Sequence, residues 1–382
     1  MSVPFDSERF EAVRAAFPLL QRRAYLFAGG MAPLSTPSRE ALEGYADLCA
    51  SDPVTAYRDV PVAEEAQLRR TIAPFVGAQP EDIAILDSTS RGNNLAVQIL
   101  EAPPGSNVVV DSTTYPSALY PWLLDARSHV ELRRVSDARG LPALDDFARL
   151  VDGGTVAISV SHVCRLTGFR HDLAGLADLA HANGARLLVD AAQSAGAVSI
   201  DVKRDAVDAM AFGAMKWLLG RPGVAFFYVC PSVREQSPLV QGGLRGAAVA
   251  ADGQLKPSPG ARRFELGSGS WGGLAASRRG AELLAEIPAE EIERGVVALS
   301  GQLVEGLLER QIDVRTPTEA GRRAGVVAFA HDRPEALCRH LKALGIDVWA
   351  WEDRRLVRAD PHVYNVPEDV ERLLGGIDSF HS

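Results

Sequence analysis

The sequence predicts an α/β protein: a mostly parallel sheet with helices on both faces, followed by a smaller α+β domain. Three observations carry this reading. Runs such as "NVVVDS", "TVAISVSHV", "ARLLVD" and "GVAFFYV" are apolar on both side-chain faces, as strands buried on both sides must be. Amphipathic segments such as "DLAGLADLAHANG" separate them. After a break around Gln241–Pro259, the order changes to one long helical pattern and then strand-strand-helix-strand-strand-helix.

The elements follow in order. Phe10, Val13, Phe17 and Leu20 recur at helical spacing and predict an N-terminal helix. "AYLFAGGMAPLS" reads as a short strand and a Gly-Pro turn, and "TPSREALEGYADLCA" as a helix with Pro in its first turn. A helix around Val62–Val76 precedes the strand "DIAILD". "STSRGNNLAVQIL" is a loop that opens into a helix, and "YPSALYPWLLDAR" is a further helix. "VELRRVS" and "AMAFGAMK" complete the strands, and a single helix is expected from about Leu274 to Leu308. The implied organisation is an N-terminal arm (1–25) packed with the small domain, a large domain (26–255) and a small domain (256–382).

Composition narrows the function. The chain has 382 residues, enough for two domains, with 47% hydrophobic and 23% charged residues. A formal charge of -9 argues against a nucleic-acid binder, which needs a basic face. Cys49, Cys164, Cys230 and Cys338 form no CxxC pair, so reduced thiols in a cytoplasmic protein are expected, without disulfides or zinc. The histidines show no metal-ligand spacing, and no metal is expected. "MSVPFDSERFEAVRAAF" lacks the apolar centre of a signal peptide, and no apolar run approaches membrane-spanning length.

Two residues carry chemistry. Asp190 ends the run "RLLVD", where a strand of a parallel sheet meets its ligand. Lys216 ends "AMAFGAMK", among hydrophobic residues. A desolvated lysine presents a neutral amine that forms a C=N link to an aldehyde. An acid in the same site pairs with a protonated ring nitrogen. Together they are the equipment that pyridoxal 5'-phosphate (PLP) requires. Ser88, Thr89 and Ser90 open a helix, where hydroxyls and free N–H groups attract an anion. Arg358 offers a guanidinium fork suited to a carboxylate.

"VDAAQSAG" followed by "MKWLLGRPGVAFFYV" resembles the class V aminotransferase family, which includes cysteine desulfurases, isopenicillin N epimerase-like proteins and C–S lyases. "YLFAGGMAPLS", "DSTSRGNNLAV", "SVSHVCRLTGFRHDL", "RFELGSGSWGG" and "LVRADPHVYN" extend the likeness over nearly the whole chain. The resemblance implies PLP fold type I, with a mostly parallel seven-stranded sheet. It implies that Lys216 carries PLP and shuttles protons, that Asp190 pairs with the ring nitrogen and that Gln193 bonds the ring's phenolic oxygen. It implies His162 stacked on the ring and Ser88, Thr89 and Ser90 at the phosphate, with Arg91 a candidate helper. Arg358 would hold the substrate carboxylate and Arg165 would contact substrate. Ser268 would reach the phosphate of a second subunit, giving a homodimer with composite sites.

This chain departs from the family at several places. Met215 stands where His is usual, Gly213 where Ser or Thr is common, and Arg165 where Asn is common. "DVWAWEDRRLVRADPH" contains no cysteine, so persulfide chemistry of the desulfurase kind is not expected; Cys338 is read as a packed helical thiol. "GSGSWG" matches a dinucleotide fingerprint only formally, since no βαβ context surrounds it. Trp271, Trp349 and Trp351 suit either a substrate pocket or packing. The expected function is PLP chemistry at Cα or Cβ of an amino acid. Lyase chemistry leads, with aminotransferase and epimerase outcomes open. A cofactor-free binding protein on the same scaffold is the alternative from another class.

Overall fold

A computed structural model describes residues 8–124, 129–136, 141–267 and 269–381. Its centre is a seven-stranded sheet. Across the sheet the strands run Ile83–Leu86, Ala225–Val229, Ala209–Gly213, Arg186–Asp190, Thr155–Ser161, Asn107–Asp111 and Glu131–Val135. Ala225–Val229 is antiparallel to both neighbours, and every other pairing is parallel.

The alternation of side chains explains why the inner strands are largely apolar, while the edge strand Glu131–Val135 is not. Val109, Ile158, Leu187, Val189, Met210 and Phe212 enter one buried cluster, while Val108, Val110, Ala157, Leu188, Ala209 and Ala211 enter another. A strand of period two buried on both faces has no position left for polar residues except its ends. Asp190 and Asp111 stand at such ends.

A third cluster forms around the three-stranded sheet of Val327–Ala330, Leu356–Ala359 and Trp349–Trp351. Leu299, Leu303, Leu307, Leu337, Leu341 and Leu373 supply most of its packing. Ala24 and Leu26 join it, because Ala24–Tyr25 pairs in parallel with Ile346–Asp347. The N-terminal helix Glu8–Ala15 lies alongside: Arg14 donates to the Tyr364 carbonyl at 2.8 Å and pairs with Asp369 at 2.9 Å. The expected helix from Leu274 to Leu308 is two helices, Trp271–Ala285 and Ala289–Glu309. Pro288 caps the second, since proline lacks the N–H to continue the first and disfavours helical geometry before it. Ile292 and Val296 of that second helix belong to the large core, whereas Leu299 onward belongs to the C-terminal one. Among the described residues no helix is long and apolar enough to cross a membrane.

The turn after Asp190 packs directly on the turn that carries Lys216. Gly196 has φ +90°, and a Cβ there would lie 2.5 Å from the Trp217 carbonyl oxygen. Gly196→Ala therefore meets both a left-handed backbone and a clash, and is expected to lose about 2 kcal/mol or more of folding stability, measured by urea unfolding.

Candidate active site

Asp190 and Lys216 come together because their strands are neighbours. Asp190 ends its strand in register with Ala211, and Lys216 lies three residues beyond the end of Ala209–Gly213. The turn carrying the lysine is closed by Leu219 N–H to the Lys216 carbonyl at 3.1 Å and held with Leu219 at φ +58°. That is a costly conformation for leucine, and its side chain is fully buried.

Asp190 is buried and accepts two hydrogen bonds, from Asn93 Nδ2 at 2.8 Å and from the Ala192 N–H at 2.9 Å. Burial pushes its pKa up; the two donors and the Lys216 charge oppose that. Burial depresses the Lys216 amine to about 8, with Asp190 pulling it back and Arg358 pushing it further down. The amine is thus neutral at a pH where an exposed lysine is charged.

Both side chains line a cavity of about 190 Å³ with Ser88, Thr89, Ser90 and Tyr115. Ser88 caps the helix Thr89–Gln98: its Oγ accepts the Arg91 N–H at 3.2 Å and donates to Asp87. Thr89 and Ser90 form the first turn, whose N–H groups have no intrahelical acceptor, and both residues line the cavity. Gly213 explains one departure in the sequence: a Cβ there would come within 3.0 Å of Thr89 Oγ1, so the small residue keeps the threonine hydroxyl clear. Arg91 is directed elsewhere, donating to the Gln241 side chain.

Above the lysine lie two arginines among aromatic rings. Arg358 is buried and pairs with fully buried Asp360 at 2.9 Å. It also donates to the Arg165 carbonyl at 3.2 Å, and its guanidinium carbon lies 5.4 Å from the Phe27 ring and 5.1 Å from Trp351. Arg165 lies 5.3 Å from the Tyr115 ring and 5.7 Å from Trp351. Phe27 stacks on Trp349 at 5.2 Å, so Trp349 and Trp351 border this end of the site rather than a remote core.

His162 donates its backbone N–H to the Asp190 carbonyl at 2.9 Å and lines a second cavity, of about 570 Å³, with Phe169 and His171; it is not among the residues lining the Lys216 cavity. The ring facing Lys216 is that of Tyr115, with Nζ 5.9 Å from its centroid. Sequence reasoning missed Tyr115, Asn93 and Asp360. The signal for Tyr115 was an aromatic residue before Pro116, just past a strand's carboxyl end. Gln193 is fixed at both ends of its amide, donating to the Gly29 carbonyl at 2.9 Å and accepting from Trp217 Nε1 at 2.9 Å. One Nε2 hydrogen remains to it. Ser268 lies outside the described residues.

Comparison with known proteins identifies the family. The Aminotransferase class-V family profile matches residues 60–373. The chain belongs to that family. A probable cysteine desulfurase of Pyrococcus abyssi is 28% identical to it over 390 residues, 96% of each chain. An uncharacterised aminotransferase of Bacillus subtilis is 27% identical, covering 96% of this chain and 97% of the relative. Among solved structures, a C-DES mutant with glycine covalently linked to its PLP cofactor superposes with a TM-score of 0.87 at 25% identity, covering 95% and 98% of the two chains. The apo cysteine desulfurase from Thermococcus onnurineus superposes with a TM-score of 0.85 at 26% identity, covering 100% and 98%.

As a class V aminotransferase the protein has PLP fold type I and is a PLP-dependent enzyme. Its residues fit the cofactor. A buried carboxylate with two donors, an amine depressed by burial, a helix N-terminus and a cradle kept open at Gly213 surround one cavity. In the cofactor-free chain, reductive methylation of Lys216 is expected to rise with pH around a midpoint near 8. Quantifying the modified peptide across pH 6–11 checks this; a midpoint at the ordinary lysine value near 10.4 would refute the depressed amine.

Proposed function

We propose that the protein is a C–S lyase acting on an amino acid with a sulfur substituent at Cβ. The observation that carries this reading is a lysine–carboxylate site of the family kind without the desulfurase thiol. No cysteine lies in residues 347–362, and Cys338 sits on a helix where burial pushes its thiol up to about 12, too high for a nucleophile. A structure of the cystine C–S lyase C-DES with its product cysteine persulfide superposes with a TM-score of 0.86 at 25% identity, which supports the same reading.

PLP, when bound, supplies an electrophilic carbon for the substrate amine and a ring that accepts the electron pair left at Cα. The chain's residues do the rest. Lys216 would anchor the cofactor and, as a neutral amine, would take the Cα proton. Asp190, which accepts from Asn93 and the Ala192 N–H, would pair with the ring nitrogen and favour its protonated form. Tyr115 would cover one ring face, the role expected of His162. The N–H groups at Thr89 and Ser90 would take the phosphate. Gln193 would give its remaining hydrogen to the ring oxygen. The substrate carboxylate would enter at the arginine end of the cavity, where Arg358 already has Asp360 as counter-ion and Arg165 has no carboxylate partner among the described residues. Loss of the Cα proton and of the Cβ–S bond, with one water consumed, yields a thiol, ammonia and a 2-oxo acid.

We also propose a homodimer. Val54, Tyr57 and Val62 on the Pro53–Ile72 helix and Leu244, Val249 and Leu255 near the 247–257 hairpin are exposed apolar residues that a second copy would cover. Sedimentation at micromolar concentration is expected to give a dimer, and a fully active monomer would refute composite sites.

The central test has two steps. Borohydride reduction of the PLP-loaded chain, followed by peptide mapping, is expected to place the label on Lys216 and to lose it in Lys216→Ala. Incubation with cystine or a cysteine S-conjugate is then expected to release thiol, ammonia and 2-oxo acid in equal amounts. A 2-oxo acid that retains its sulfur substituent, without ammonia, would establish an aminotransferase instead.

A further inference from the structure

Two carboxylates lie within electrostatic reach of Lys216, and the chemistry above uses one. The second, Asp360, is fully buried and follows Arg358 by two residues. Its Oδ2 lies 2.9 Å from Arg358 Nη2, and the guanidinium and the Gly29 N–H both act to keep the carboxylate charged against burial. It also faces the site: a Cβ built on Gly29 would lie 2.8 Å from Asp360 Oδ2 and 2.6 Å from Gln193 Oε1, so both oxygens crowd the same glycine.

Arg165 has the opposite status. Among the described residues it forms no ion pair, and its buried Nε has no acceptor. Tyr115 and Trp351 border its guanidinium. Stacked guanidinium groups keep their edges available for a bidentate carboxylate. An anion arriving at Arg358 must instead share one positive charge with a carboxylate already buried beside it, and like charges at close range in a desolvated site oppose each other strongly.

Resting on the proposed amino-acid chemistry, we propose that Asp360 determines substrate specificity. By neutralising Arg358 it assigns the substrate's carboxylate to Arg165 and closes the inner arginine to a second anion. The enzyme thereby selects amino acids with uncharged side chains over those with acidic ones. This deepens the lyase reading, because a cysteine S-conjugate with an uncharged substituent belongs to the selected class.

A pH dependence follows from the same pair. Burial raises Asp360 to about 6, with Arg358 and then Lys216 opposing. Tyr25 and Tyr364 also face it electrostatically, and both are raised above the ordinary tyrosine value, so they remain neutral across the window used. Below about 6 Asp360 takes up a proton and frees Arg358, while a glutamate side chain stays largely ionised down to about 4.3.

The test measures binding of L-norvaline and L-glutamate to the PLP-loaded enzyme by the change in cofactor absorbance. The wild type is expected to prefer norvaline. In Asp360→Asn, which keeps the side-chain volume, glutamate is expected to bind ~10-fold more tightly, with norvaline changed less than twofold, as for one added charge-assisted hydrogen bond. Arg165→Ala is expected to weaken norvaline by ~10-fold or more, and Arg358→Ala to weaken it far less. An unmoved glutamate-to-norvaline ratio in Asp360→Asn, or equal losses in the two arginine variants, would overturn the proposal. Should Asp360→Asn fail to fold, the wild type decides: glutamate must gain on norvaline as pH falls through 6, and a ratio flat from pH 7 to 5 refutes the assignment. A merely structural Asp360 would lower the melting temperature without moving the ratio. Failure to load PLP on Lys216 defeats the enzyme reading itself, whereas a loaded enzyme with an unmoved ratio defeats only this inference.

Discussion

Burial of a carboxylate and an amine in one cavity is the constraint on which the rest of the structure depends. Neither Asp190 nor Lys216 is stable there alone, since desolvation opposes each charged form. Asn93 and the Ala192 N–H oppose the rise that burial imposes on the acid, and the acid in turn limits how far the amine falls. The balance sets a hydrogen-bonded acid beside an amine depressed to about 8. The same low-dielectric setting sharpens the contrast between Arg358, matched by Asp360, and Arg165, matched by no carboxylate among the described residues.

The scaffold holds this balance through Trp217, the residue after the lysine. Its indole N–H fixes Gln193, its carbonyl accepts from His362 Nε2 at 2.9 Å, and its ring packs where Gly325 has no side chain. The turn bearing Lys216 is thus tied to the turn after Asp190 and to the C-terminal segment that carries Arg358 and Asp360. The left-handed Leu219 shows the cost, which a fully buried leucine in a packed core offsets.

His162 and Tyr115 show how a residue's neighbourhood is decided in space. Both follow the carboxyl ends of adjacent strands. His162 lines the cavity shared with Phe169 and His171. There burial and the nearby Arg170 and His171 keep it neutral. Tyr115 is positioned by its N–H donating to Ser161 Oγ at 3.0 Å, which sets its ring beside Lys216. Either residue suits a stacking role by type alone.

The sequence by itself determined the layers of the fold, because a strand buried on both faces must be apolar throughout and a covering helix must be amphipathic. It also singled out Asp190 and Lys216 as a pair, since either charge alone has an ordinary structural reading and the two together at the ends of apolar runs do not. It did not show the break at Pro288, where a continuous apolar pattern masked a backbone effect. Only the tertiary structure decided which ring faces the lysine, that Ser88 is spent on capping, that Arg91 belongs to Gln241 and that Arg358 already has a counter-ion. Each of these depends on which side chains meet across strands and turns distant in sequence, and periodicity along one chain carries no record of such meetings.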